Sequence, residues 1–192
     1  GLLLPTGILR WKKGFVVTDS PNIYYLEDSD NDGKADIMDT LLTGFALTNP
    51  QHNLNNPVYG IDNWIYAAHE GIVKSRDYGE EFGDEGTEIY YPAKPDAVRL
   101  PQNASGKSVR FRPEQYQLEE LASRCQFGHT FDKWGHWFGS NNSNQGYQEI
   151  IAERYLKRNP QLPPTDPNHA MSDHLNAPEV FPTTLNPDRQ IF

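Results

Sequence analysis

The chain has 192 residues and a formal charge of −9, from 17 basic and 26 acidic side chains. That length admits one domain, and the acidic balance excludes nucleic acid as a partner, because phosphate contacts need clustered Lys and Arg. A single cysteine, Cys125, excludes an intramolecular disulfide, a CxxC pair and a haem-attaching CxxCH.

Fifteen Gly, fifteen Pro and a wealth of aromatics (nine Phe, ten Tyr, four Trp) favour short strands and turns over long helices. The expected class is all-β. No stretch approaches the roughly eighteen apolar residues of a spanning helix, so neither a membrane span nor a targeting segment is expected.

From Pro5 the chain runs into Phe15–Ser20, breaks at Pro21-Asn22 and resumes at Ile23–Leu26, the outline of a meander. Next, Asp28, Asp30, Asp32, Gly33, Asp36 and Asp39 fall on positions 1, 3, 5, 6, 9 and 12 of an EF-hand-type loop, with Lys34 at position 7 offering its carbonyl. Carboxylates so close repel, and a hard divalent cation relieves them. The predicted calcium ligands are therefore Asp28, Asp30, Asp32, Lys34, Asp36 and Asp39. Strand-like flanks, and Asp in place of Glu at position 12, make this a calcium staple on a β-hairpin; the alternative is a solvated Asp/Asn/Gly-rich loop. Strand resumes at Ile37–Leu42.

The stretch from Gln51 to Gly71 delivers His52 on a loop, then a strand, a polar turn at Asp62-Asn63, and an apolar strand ending near Glu70. A histidine beside strand ends suits acid–base work, and the alternative is a solvated, hydrogen-bonding side chain. Residues 72–106 read as a long excursion. Ser108–Arg112 and Gln117–Leu121 form a hairpin about Pro113-Glu114-Gln115. Phe127–Phe138 then repeats the strand, Asp-turn, strand outline, with Asp132 seventy positions after Asp62 and Gly7–Val17 as a weaker third copy. Imperfect repeats of a few strands suggest a propeller. The blade-like units are 5–45, 51–100 and 107–150, followed by an extended arm, 151–192, whose compact features are Ser172-Asp173-His174 and Val180-Phe181-Pro182.

The order Gly60, apolar, Asp62, turn, apolar, Tyr66, approached by His52 eight residues before the glycine, resembles the soluble quinoprotein sugar dehydrogenases. These six-bladed β-propellers use pyrroloquinoline quinone (PQQ). The likeness is nearest to the membrane-bound dehydrogenase-type propellers of bacteria. It extends to the Asp-rich loop, Thr43-Gly44-Phe45, Phe127–Phe138, Glu153–Leu156 with Asn159-Pro160, and Ser172-Asp173-His174. The resemblance implies about three of six blades, with the remainder of the propeller as a partner and the chain as a fragment of a longer protein.

It also implies roles. His52 would be the base that takes the substrate hydroxyl proton while hydride passes to the quinone. Arg124 matches a cofactor-contacting arginine, Glu70 falls beside the family's carboxylate at the cofactor site, and Cys125 stands where the family has Asn. The substrate would be a sugar or alcohol, the electron acceptor a c-type cytochrome domain or protein, and the location periplasmic or secreted. Two other readings stay open. One is a non-catalytic, calcium-stabilised propeller that binds carbohydrate or a protein, which Cys125 favours. The other is a hydrolase or lactonase with a metal held by His52, His129 and His174, whose scatter lacks ligand spacing.

Overall fold

The computed structural model describes residues 1–75, 77, 79–159, 161 and 166–171. The fold is all-β, with four antiparallel sheets. The first contains β1 (Gly7–Trp11), β2 (Gly14–Asp19), β3 (Asn22–Glu27) and β4 (Ile37–Thr43), adjacent in space in chain order. The Asp-rich loop connects β3 to β4, which pair from Asn22↔Thr43 to Glu27↔Ile37.

The second sheet orders β5 (Asn55–Tyr59), β6 (Ile65–Ala68), β9 (Val109–Arg112) and β10 (Gln117–Glu120). Between β6 and β9 the excursion carries β7 (Glu88–Ile89) and β8 (Leu100–Gln102), which pair as a small sheet of their own. The third sheet orders β11 (His129–Phe131), β12 (Trp137–Gly139), β13 (Tyr147–Glu149) and β14 (Asn168–Ala170). One helical turn, α1 (Glu153–Leu156), precedes β14.

Two assignments differ from the expected units. The hairpin at 107–120 was expected to open the third unit, but it completes the second sheet, with Tyr66 opposite Arg110. Likewise β14, expected within the arm, closes the third sheet by pairing Glu149 with Asn168. In both cases a strand skips an intervening insertion to reach its partner. Ser172-Asp173-His174 and Val180-Phe181-Pro182 lie outside the described residues.

The repeated Asp turns share one mechanism. Asp62 Oδ1 accepts the Trp64 N–H at 3.3 Å, and Asp132 Oδ1 accepts the N–H groups of Trp134 and His136 at 2.9 Å. A side-chain oxygen that satisfies turn donors lets the next strand start at once.

Two apolar clusters hold the sheets together. Val16, Ile23, Leu42, Phe45, Ile65, Val109 and Phe111 join the first and second sheets, and each such fully buried side chain contributes about 1.5–3 kcal/mol by leaving water. Trp64, Tyr66, Leu121, Cys125, Trp137 and Tyr147 join the second to the third. At Gly7, a β-carbon would stand 2.5 Å from Pro57 Cδ and 2.9 Å from Asn56 N, so only glycine lets β1 approach β5 this closely. Among the described residues no helix is long and apolar enough to cross a membrane.

Candidate functional site

His52 ends a single 3-10 turn, Pro50–His52, capped by the Asn49 side chain, which accepts the Gln51 N–H at 3.0 Å. Asn55 pairs with Ala68 across β5 and β6. Residues entering β5 and residues leaving β6 therefore meet at one end of the sheet, which brings His52 to Glu70. The His52 Nδ1 lies 2.5 Å from Glu70 Oε2. The two side chains are only 15% and 9% exposed, so solvent screens this pair less than an ion pair at the surface. At Gly71 the backbone turns with φ of +78°, and a β-carbon would stand 2.7 Å from Gly106 Cα.

A third side chain completes the group. Gln126 Nε2 lies 3.2 Å from His52 Nε2. Gln126 is buried, its backbone carbonyl accepts from Asn55 Nδ2 at 2.8 Å, and its N–H donates to Ser140 O at 3.1 Å. The sequence offered no sign of it: a Gln between a Cys and a Phe carries no motif, and its role exists only once the third sheet docks.

Arg124 is exposed and lines a polar cavity of about 380 Å³ together with Lys107, Asn141, Asn144 and Asn168. His52 is not on that wall, although Gln126 lies just two residues beyond Arg124. Lys107 is paired with Glu153 at 2.8 Å, whereas Arg124 has no ion pair among the described residues. Cys125 is buried in the second cluster, and its thiol donates to Gly128 O at 2.6 Å. Burial pushes the thiol pKa up, which makes it a poor nucleophile.

Two further histidines, His69 and His129, are core residues. His69 is wholly buried edge-on to Phe45, its Nδ1 3.2 Å from Lys107 O, and burial pulls its pKa down to about 4. His129 stacks on Trp137 with ring centroids 5.6 Å apart, and burial pulls it down to about 4 as well. Neither of its ring nitrogens has a hydrogen-bond partner. A three-histidine metal site therefore finds no support: His52 is committed to Glu70, His129 to an aromatic stack, and His174 lies outside the described residues.

In the Asp-rich loop the structure brings Asp28, Asp30 and Asp36 together, with one carboxylate oxygen of each within 4.8 Å of the others. Ser29 donates to Asp36 Oδ2 from both N–H and Oγ at 2.8 Å and holds that carboxyl below its ordinary pKa. Asp32 instead accepts the Lys34 N–H at 2.8 Å, and Asp39 sits in β4 opposite Tyr25, apart from the triad.

A family model described as Domain of unknown function (DUF7133) matches residues 1–191. The chain belongs to that family. No curated protein and no solved structure matches this DUF7133 chain.

Proposed function

We propose that this DUF7133 chain contributes three blades to a β-propeller that oxidises a sugar or other alcohol, with His52 as the base. Each large sheet is a four-stranded meander in chain order, as a propeller blade is. The first strands of the three sheets also converge. β1 packs against β5 at Gly7, and Asn56 Nδ2 on β5 donates to His129 O on β11 at 2.8 Å. A cavity of about 800 Å³ lined by Gly7, Asn56, Pro57, Gly128 and Phe131 follows these strands, where a propeller keeps its channel.

The observation that carries the reaction is the shielded His52–Glu70 pair. Glu70 accepts the Nδ1 proton and so orients the ring. Nε2 is then the nitrogen that takes a hydroxyl proton, and Glu70 stabilises the imidazolium that results. PQQ, when bound, supplies the acceptor for the hydride. Arg124, with the side-chain amides of Asn141 and Asn144 beside it, is a donor set suited to the carboxylates of such a quinone. Asp28, Asp30 and Asp36 would hold calcium as a structural staple of the β3–β4 hairpin. Electrons would leave to a c-type cytochrome outside the cytoplasm.

One observation favours a second reading, a calcium-stabilised propeller that binds carbohydrate or a protein. Cys125 stands where the quinoprotein dehydrogenases that the sequence resembles have asparagine, and it is buried and bonded to Gly128 O, so it offers a quinone nothing.

The test adds PQQ and calcium to the full-length protein and follows quinone absorbance on addition of glucose or a primary alcohol. Reduction is expected, and His52→Ala is expected to slow it by about 10²–10⁴-fold in a variant that still folds, at a lower melting temperature because Glu70 loses its partner. Undiminished turnover in that variant removes the base assignment. A full-length protein that takes up no quinone leaves the binding reading.

A further inference from the structure

We infer that Gln126 is a positioning residue for His52: its carboxamide holds the Nε2 lone pair in the place an incoming hydroxyl takes. This rests on the reading of His52 as a base and adds what occupies the base before, and after, the proton moves.

The hydrogen bonds leave one arrangement. Gln126 Oε1 accepts the Asn142 N–H at 3.3 Å, so the amide turns its NH2 toward His52. Two donors cannot face each other at 3.2 Å, so His52 Nε2 is the acceptor. The ring proton is then on Nδ1, where Glu70 accepts it at 2.5 Å. Bonds from Asn55 and to Ser140 fix the Gln126 backbone, and the Asn142 N–H orients its amide, so the NH2 stays close to Nε2.

The chemistry of the occupant follows. Only a group carrying a hydrogen can replace the Gln126 N–H at an Nε2 lone pair, which selects a hydroxyl and rejects a carboxylate, whose lone pairs would face another lone pair. Once displaced, the NH2 donates to the oxygen of that same hydroxyl, and the bond persists when the oxygen becomes a carbonyl. Gln126 thus accompanies the reacting oxygen, while Glu70 serves the opposite side of the ring.

The test is side-chain ¹⁵N NMR of the full chain near neutral pH, with the His52 ring assigned through His52→Gln. Nδ1 is expected to be a proton-bearing, pyrrole-type nitrogen and Nε2 a hydrogen-bonded, pyridine-type one. In Gln126→Leu the Nε2 resonance should move toward that of an unbonded pyridine-type nitrogen. Gln126→Glu, nearly the same in shape, should turn both nitrogens pyrrole-type, and it serves where the leucine variant does not fold. A proton on Nε2 in the wild type, a resonance unmoved in Gln126→Leu, or a pyridine-type Nε2 in Gln126→Glu overturns the inference. The readout is independent of the quinone assay. Turnover undiminished in His52→Ala would end the base reading and leave the Gln126 contact standing, and an unmoved resonance would do the reverse.

Discussion

Stability should fall steeply on mild acidification, and His129 is the cleanest place to see it. Its ring is enclosed by Tyr66, Phe131 and Trp137, with no charged group among these ring neighbours and no partner at either nitrogen. Burial holds it at about 4 in the folded protein against an ordinary 6.5. The unfolded chain therefore binds a proton that the folded one refuses, so stability is lost as pH drops from about 6.5 toward about 4. A difference of this size costs roughly 3 kcal/mol at the acid limit and roughly 2 kcal/mol at pH 5. His69, held at about 4 by burial in the same way, adds a similar amount. His129→Phe keeps the stack on Trp137 and removes the proton acceptor. Urea melts at pH 7 and pH 5 should show the variant losing roughly 2 kcal/mol less than the wild type between the two. Equal losses in both proteins would refute the reasoning.

Two further outcomes are expected. Three converging carboxylates place calcium affinity in the range of weak extracellular modules, on the order of 10⁻³ M; about 10 mM calcium then adds roughly 1.4 kcal/mol, or about 3–6 °C in Tm. Asp30→Ala should abolish that shift, and a wild type that melts at the same temperature with and without calcium removes the site. Arg110 is buried, bonded to Glu119, to Asp62 Oδ2 at 3.1 Å and to Tyr66 Oη at 3.1 Å, with Trp64 at 4.4 Å under its guanidinium. Its carboxylate partners are 39% and 40% exposed and can rehydrate, so Arg110→Met should cost roughly 2–3 kcal/mol, below the usual figure for a broken buried pair. A loss under roughly 1 kcal/mol in a chemical melt would show the network to be solvated.

What the sequence reveals here is what depends on neighbours along the chain. The hairpin Val109–Arg112 with Gln117–Glu120 and the turns at Asp62 and Asp132 are visible because alternation and Asx chemistry act over a few residues. The pairing of β6 with β9 is invisible, since it closes over residues 69–108, and the same holds for β14. Counting loop positions finds Asp28, Asp30 and Asp36 but also includes Asp39, whose place is fixed by strand pairing with Tyr25. His52 is legible as a histidine beside strand ends and Glu70 through the resemblance to the quinoprotein dehydrogenases, whereas their pairing follows from the strand ends of one hairpin meeting. Gln126 could not, because no local pattern distinguishes a glutamine that docks from one that is solvated.

The difference between those residues has an energetic counterpart. His52 and Glu70 belong to a single hairpin, so their pairing needs only the Asn55↔Ala68 register. Gln126 reaches His52 only where the third sheet docks on the second, and two asparagines staple that seam: Asn55 Nδ2 donates to Gln126 O, and Asn56 Nδ2 donates to His129 O, each at 2.8 Å. At roughly 1 kcal/mol net for each bond, the staple is weak beside the Trp64, Tyr66 and Trp137 cluster that backs it. The pair is thus made by folding of the second sheet, whereas the amide that occupies its lone pair arrives with the third. A local opening between these sheets would free Nε2 while leaving Nδ1 bonded to Glu70, so it would act on Nε2 and not on the orientation of the ring.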